Sequence, residues 1–307
     1  MDFSWLDRSY LIDWILVVVW YSLSNIFIYV PVFERDIPPQ DAAIGHTHRP
    51  NQVNGAMLHL LSDGIPIAVV LIMALTRRSL IELHHGLLAF FSSTSLQRLV
   101  VGFLKNRVGR LRPDFLDRCQ WNGRYCTGYS PFYSADTSLI RDGRRSFPSG
   151  HSSAAFAGMA FLFFYFADKT DCFRKRPQFA PRSWRSSVLL RVSITISPLF
   201  LSTWIAVTRL EDYASFFLFF PLDLANESFV SAITKDVIVG SLIGTLSSWL
   251  MYRVYFQDPF STSREPAGEP RAVYTSAWSQ HGQDEFMELN QLEEQVRLQD
   301  STADTRV

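Results

Sequence analysis

Cysteine is scarce in this chain: Cys119, Cys126 and Cys172 are the three among 307 residues. That is too few for a disulfide framework. Cys119 and Cys126 share a polar loop, and the sequence allows either a bond between them or two free thiols. Net charge is absent as well, because 29 Lys and Arg balance 29 Asp and Glu. A nucleic-acid partner, which would call for a basic surplus, is not expected. A cleavable leader is also missing. The first apolar run follows Asp2 and Asp7, is too long for a signal core and lacks a small-residue cleavage site, so it reads as an anchor. One further absence is local: no histidine lies between His151 and His281.

Long hydrophobic runs, by contrast, are plentiful. The apolar fraction is 48%, with 25 Phe and 8 Trp, and it is concentrated in segments near the length of about 20 residues that spans a hydrocarbon core. Six spans are predicted, Leu11–Val32, Ile65–Leu75 with Leu60 and Leu61 upstream, Leu80–Phe103, His151–Ala167, Val188–Val207 and Val237–Phe256. The fold class is therefore all-α and polytopic, with residues 11–256 forming the membrane domain. The third span carries His84, His85, Ser92, Ser93, Thr94 and Gln97, and its polar groups should face other helices because lipid cannot satisfy them. Phe216–Phe220 is too short to cross and is expected to lie in the interface. Residues 257–307 are rich in Gln, Glu, Asp, Ser and Pro and read as a disordered tail.

Six spans put both termini on one side. Arg77, Arg78, Lys169, Arg174, Lys175, Arg176, Arg182 and Arg185 fall on that side, which marks it as cytosolic, residues 1–10 and the tail included. The loop 104–150 is basic too, but it is placed on the luminal or extracellular face because an anion site would account for its charge.

Three blocks carry the chemistry. Lys105 and Arg112 are separated by two helical turns in Lys105-Asn106-Arg107-Val108-Gly109-Arg110-Leu111-Arg112-Pro113. On a helix running up to Pro113 both would point one way, and together they suit an anion with several oxygens. Arg107 and Arg110 would fall on other faces, as headgroup contacts. In Pro148-Ser149-Gly150-His151, Ser149 is a helix cap, free N–H groups make an anion site, Gly150 permits close approach and His151 can donate a proton. The third block offers Arg209 near the end of one span and Asp236, read as opening the last helix. There Asp236 would either favour the helix dipole or orient a histidine. His84 and His85 point about 100° apart on a helix and read as a packed or pore-side polar pair rather than metal ligands.

Together the blocks closely resemble the type 2 phosphatidic acid phosphatase (lipid phosphate phosphatase) superfamily, in particular its fungal members. Its pattern is K-x6-R-P, P-S-G-H and S-R-x5-H-x3-D on six transmembrane helices, and the resemblance covers about residues 10–256. It implies a metal-independent hydrolysis without cofactor. Lys105, Arg112, Ser149, Gly150 and Arg209 would bind phosphoryl oxygens, His151 would protonate the leaving alcohol, and Asp236 would orient a histidine nucleophile. The implied substrate is phosphatidate in the bilayer, with lysophosphatidate or diacylglycerol pyrophosphate as further substrates. A transporter is disfavoured, since the motif cations sit at helix ends. Oligomeric state is left open.

The third block departs from that pattern. Asp236 lies 27 residues after Arg209, 17 more than the family spacing, and the histidine falls on Ser215 counted forward or Ala232 counted back. Two readings stay open: a lipid-phosphate-binding pseudoenzyme, or a misplaced splice junction around Ala214–Thr234, which is favoured because every other motif position is intact save for Thr208 in place of serine.

Overall fold

The computed structural model describes residues 8–35, 44, 51–118, 137–170, 172–173, 187–214 and 224–260. Cys119, Cys126, Ser215, Phe216–Phe220 and residues 261–307, with most of the tail, lie outside the described residues.

Helices α1 (Ser9–Ile26), α2 (Gly55–His59), α3 (Ile65–Arg77), α4 (Leu80–Val108), α5 (Phe115–Arg118), α6 (Thr137–Gly143), α7 (Gly150–Lys169), α8 (Val188–Ala214) and α9 (Leu224–Tyr255) build the described structure. A π-helical turn over Leu60–Gly64 joins α2 to α3 into one span. Among the described residues, six helical segments are long and apolar enough to cross a membrane, which makes this an all-α polytopic protein. The helix starts follow side-chain chemistry. Asn54 caps α2 by accepting from the Met57 N–H at 2.8 Å. Ser79 accepts from the Glu82 N–H at 3.2 Å, a Ser-x-x-Glu start that satisfies an orphan donor of α4.

At the centre is α7, which packs most extensively on α9 and α8, while α4 packs on α9, α1, α3 and α7. The polar residues of α4 turn inward, as the sequence predicts. Ser92, Ser93, Ser95 and Gln97 are buried. Gln97 donates to Ser153 of α7 at 2.7 Å, and Ser93 meets Ser248 of α9 at 2.9 Å. The α7–α9 seam depends on two glycines one turn apart. A Cβ on Gly240 would stand 2.6 Å from the Ser149 carbonyl oxygen, and one on Gly244 would overlap the Ser153 carbonyl. Small residues at this spacing let membrane helices touch backbone to backbone, and here they press α9 onto the start of α7.

His84 and His85 are packed as a polar pair. The Tyr10 hydroxyl meets His85 Nε2 at 2.8 Å, and Trp14 Nε1 donates to His84 Nε2 at 3.2 Å. Nearby, Glu82 accepts from Lys169 at 2.6 Å and from the Tyr165 hydroxyl at 2.5 Å. These groups close one end of the bundle; the motif residues gather at the other.

Candidate active site

The turn between α4 and the first-motif arginines is made by Gly109. Its φ of +57° is left-handed, and a Cβ there would run into the Phe33 backbone. Helix α4 therefore ends at Val108, before Pro113. Lys105 and Arg112 do not share a helical face, which corrects the register argument. They converge because the chain folds back after Gly109.

The two stretches linking α4 to α7 brace each other. The Arg112 N–H donates to the Gly143 carbonyl at 2.7 Å, and the Ser146 N–H to the Arg110 carbonyl at 3.1 Å. Phe115, Ile44 and Ile140 form a small core beneath them, with Leu111 and Leu116 against it. The Arg112 guanidinium donates to Asp142 at 2.8 Å, and Asp142 also accepts from Arg118 at 3.0 Å. That ties down one side of Arg112 and fixes its direction.

Ser149 caps α7, its hydroxyl oxygen accepting from the Ser152 N–H at 3.3 Å. Gly150 leaves the space that Lys105 fills: a Cβ at Gly150 would lie 2.9 Å from the Lys105 Nζ. The first and second motifs thus meet at one contact. His151 Nε2 lies 3.1 Å from the Val53 carbonyl. A carbonyl only accepts, so Nε2 carries the proton in this contact. Arg209 is buried in the last turns of α8 and donates to Asn51 Oδ1 at 2.6 Å. Lys105, Arg112 and Arg209 all act electrostatically on the His151 ring, so the three cations and the imidazole share one site.

Arg145 joins them. It lies within electrostatic range of Lys105 and Arg112. Burial lowers its pKa from the ordinary arginine value; Asp142 opposes the fall, and Arg141 and Arg112 add to it. Its Nε–H is buried and has no partner among the described residues. What results is a cationic pocket at a helix N-terminus, next to a proton-bearing imidazole, which is the arrangement for a phosphoryl group.

Comparison with known proteins agrees. Residues 86–218 match the model of the PAP2 superfamily. Diacylglycerol pyrophosphate phosphatase 1 of Saccharomyces cerevisiae is 31% identical over 80% of this chain and 78% of its own length. The chain belongs to the PAP2 superfamily. Probable diacylglycerol pyrophosphate phosphatase 1 of Schizosaccharomyces pombe is 30% identical over 73% of each chain. Probable lipid phosphate phosphatase 4 of Arabidopsis thaliana is 25% identical over 82% of this chain and 75% of its own. No solved structure gives a significant match.

Two expectations for this PAP2 site change. Asp236 does not open the last helix; it lies three turns inside α9, so a helix-dipole role is void. Its carboxylate is buried and paired with Arg110 at 2.6 Å, and it accepts from the Ser146 hydroxyl at 3.1 Å. Arg110 is consequently not a headgroup contact but the partner of the third-motif carboxylate. Arg107 does sit outside, over the Phe103 ring at 5.8 Å. Sequence reasoning gave Arg110 to the headgroups and passed over Asp142, Arg145, Asn51 and Val53. Arg145 could have been found from its place four residues before Ser149. Asn51 and Val53 carry no local signal, since they reach the PAP2 site only through the packing of Leu58 and Val53 on Ala155 and Ile205.

Proposed function

We propose that this chain is built as an integral-membrane lipid phosphate phosphatase whose site takes phosphatidate, with lysophosphatidate and diacylglycerol pyrophosphate as related substrates. The observation that carries this reading is the convergence of Lys105, Arg112 and Arg209 on His151, beside the capped start of α7. Support comes from the relatives, which include diacylglycerol pyrophosphate and lipid phosphate phosphatases. In this reading the motif end of the bundle faces the lumen or the exterior, and both termini and the tail are cytosolic.

The cations, Arg145 among them, bind the phosphoryl oxygens and stabilise charge on the transferring group, the largest expected catalytic term. His151 holds its Nε2 proton on the Val53 carbonyl until the leaving oxygen takes that carbonyl's place. A histidine nitrogen would attack phosphorus as the phosphorus–alcohol bond breaks, and the departing oxygen would take the His151 proton. Water would then break the nitrogen–phosphorus bond and release phosphate. No metal ion enters this scheme.

The attacking histidine is the part this chain lacks. The polypeptide as written therefore binds lipid phosphate and hydrolyses it at or near background, since Ser215 has no base to activate it. The test is binding of phosphatidate and orthophosphate by the purified protein, alongside phosphate release. Lys105→Ala and Arg209→Ala should each weaken binding by about tenfold or more, the loss of a charge-assisted contact. Unchanged binding in both would overturn the phosphate pocket. Robust release by the unaltered chain would overturn the missing-nucleophile reading.

A further inference from the structure

A second polar cluster lies away from the motifs, on the flank of the bundle where α1, the π turn and α4 meet. His59 Nδ1 is 2.8 Å from Asp63 Oδ2, and Arg98 Nη2 is 3.4 Å from the same oxygen and 3.3 Å from His59 Nδ1. The side chains are 53%, 28% and 29% exposed, respectively. All three lie inside segments long and apolar enough to cross a membrane. Ionisable groups on such a surface are costly, and when present they mark a functional site.

Mutual neutralisation accounts for only part of this cluster. The carboxylate accepts, so His59 gives its Nδ1 proton to Asp63. Arg98 then makes one long contact with that carboxylate through a single nitrogen, near the limit of hydrogen bonding. A guanidinium has five donors in a rigid fork. The remaining donors of Arg98 meet only the face of Tyr21, 5.3 Å from the ring centroid, among the described residues. The backbone beneath is specially built. Asp63 is carried by the π turn, a feature frequent at functional sites, and the Ser62 carbonyl occupies the space a Cβ on Gly158 would need. The π turn is therefore seated directly on α7, the helix that bears His151.

Depth supplies the link to the phosphate pocket. Arg98 precedes Lys105 by two turns on α4, so it lies about 10 Å deeper along the axis and on nearly the same face. A lipid whose phosphate is held at Lys105 brings its glycerol ester groups toward that level. Asp63 disfavours a second phosphate there, whereas a neutral ester carbonyl accepts from Arg98 without meeting its charge. We propose that Arg98, positioned by Asp63 and His59, binds an ester carbonyl of the lipid phosphate, which reaches the pocket along the flank between α1, the π turn and α4. This rests on the phosphate reading above.

The experiment uses the full chain in nanodiscs and three probes: dioleoyl phosphatidate, its ether-linked analogue and orthophosphate. The unaltered protein should prefer ester to ether lipid by about tenfold, the loss of one charge-assisted hydrogen bond. Arg98→Met should erase that preference and leave orthophosphate binding unchanged, which also reports that the variant has folded. Equal ester and ether affinity in the unaltered protein would overturn the inference without any variant. Ester preference that survives in a folded Arg98→Met protein would overturn it as well. Failure of the phosphate pocket reads differently: no orthophosphate binding, with the ester preference and its loss in Arg98→Met still present.

Discussion

Arg110 Nη1 lies 2.6 Å from Asp236 Oδ1, which joins the first motif to the third. The Ser149 N–H donates to the Asp236 carbonyl at 3.1 Å, which joins the second motif to the third. With Lys105 against Gly150, the motifs close into a ring. Removing one partner of a buried pair leaves the other charge uncompensated. Arg110→Met strands the carboxylate of Asp236 and should cost about 3 kcal/mol, the lower end for such pairs because Arg110 is partly exposed. Adding Asp236→Asn should recover part of that loss. Thermal unfolding in detergent measures both, and additive losses would refute the coupling.

Gly240 and Gly244 predict a steric effect of a different kind. Gly240→Ala forces a methyl group against the Ser149 carbonyl, and Gly244→Ala does the same at Ser153. Overpacking of this kind costs about 1–3 kcal/mol. Gly55→Ala is the control, because no atom lies within 4 Å of its added carbon. Melting temperatures should fall for the first two and hold for the third. Equal melting of all three would mean that the α7–α9 seam is looser than described.

These contacts show where the sequence was legible. The apolar runs give six spans because each must satisfy its own backbone in lipid. The serines and Gln97 of α4 face inward for the reason their polarity suggests, and Ser149 is a cap because of its residue type and its place. The sequence predicts the convergence of Lys105 and Arg112, but by a shared helical face that the structure does not contain. Pro113 is the conspicuous breaker, yet Gly109 ends the helix, through a close approach to Phe33 that only tertiary structure reveals. The sequence places Asp236 at a helix start because the apolar run Val237–Phe256 follows it directly. Here α9 extends upstream through Leu224, and Arg110, distant in sequence, neutralises the carboxylate.

Asn51 tests the other wall of the pocket. Its Oδ1 accepts from Arg209 at 2.6 Å, so a neutral amide holds the cation without cancelling it. Asn51→Asp would place a carboxylate on that nitrogen and compete with phosphate oxygens. Orthophosphate affinity should fall by about tenfold, the scale of one charge-assisted contact, while Asn51→Gln should lose less. Titration of the purified protein with orthophosphate reports both. Equal affinity in Asn51→Asp and the unaltered chain would mean that Arg209 does not bind the anion.

The missing nucleophile can be sought from the position of Asp236. Helix α9 is continuous from Leu224 through Asp236, so Ala232 lies one turn before it, at the spacing that brings two side chains together on a helix. Asp236 Oδ1 is engaged by Arg110 and Oδ2 by Ser146. A carboxylate has about four acceptor sites, so capacity remains for an imidazole N–H. Ala232→His should therefore raise phosphatidate hydrolysis above background and yield an acid-labile phosphoenzyme. Adding Asp236→Asn should abolish that gain. Ser215→His, set by the forward count from Arg209, is 21 residues away from Asp236 in the chain and, without that carboxylate as its helical neighbour, should stay silent. If Ser215→His restores turnover and Ala232→His does not, the nucleophile is placed by Arg209, and Asp236 serves only to hold Arg110 and Ser146.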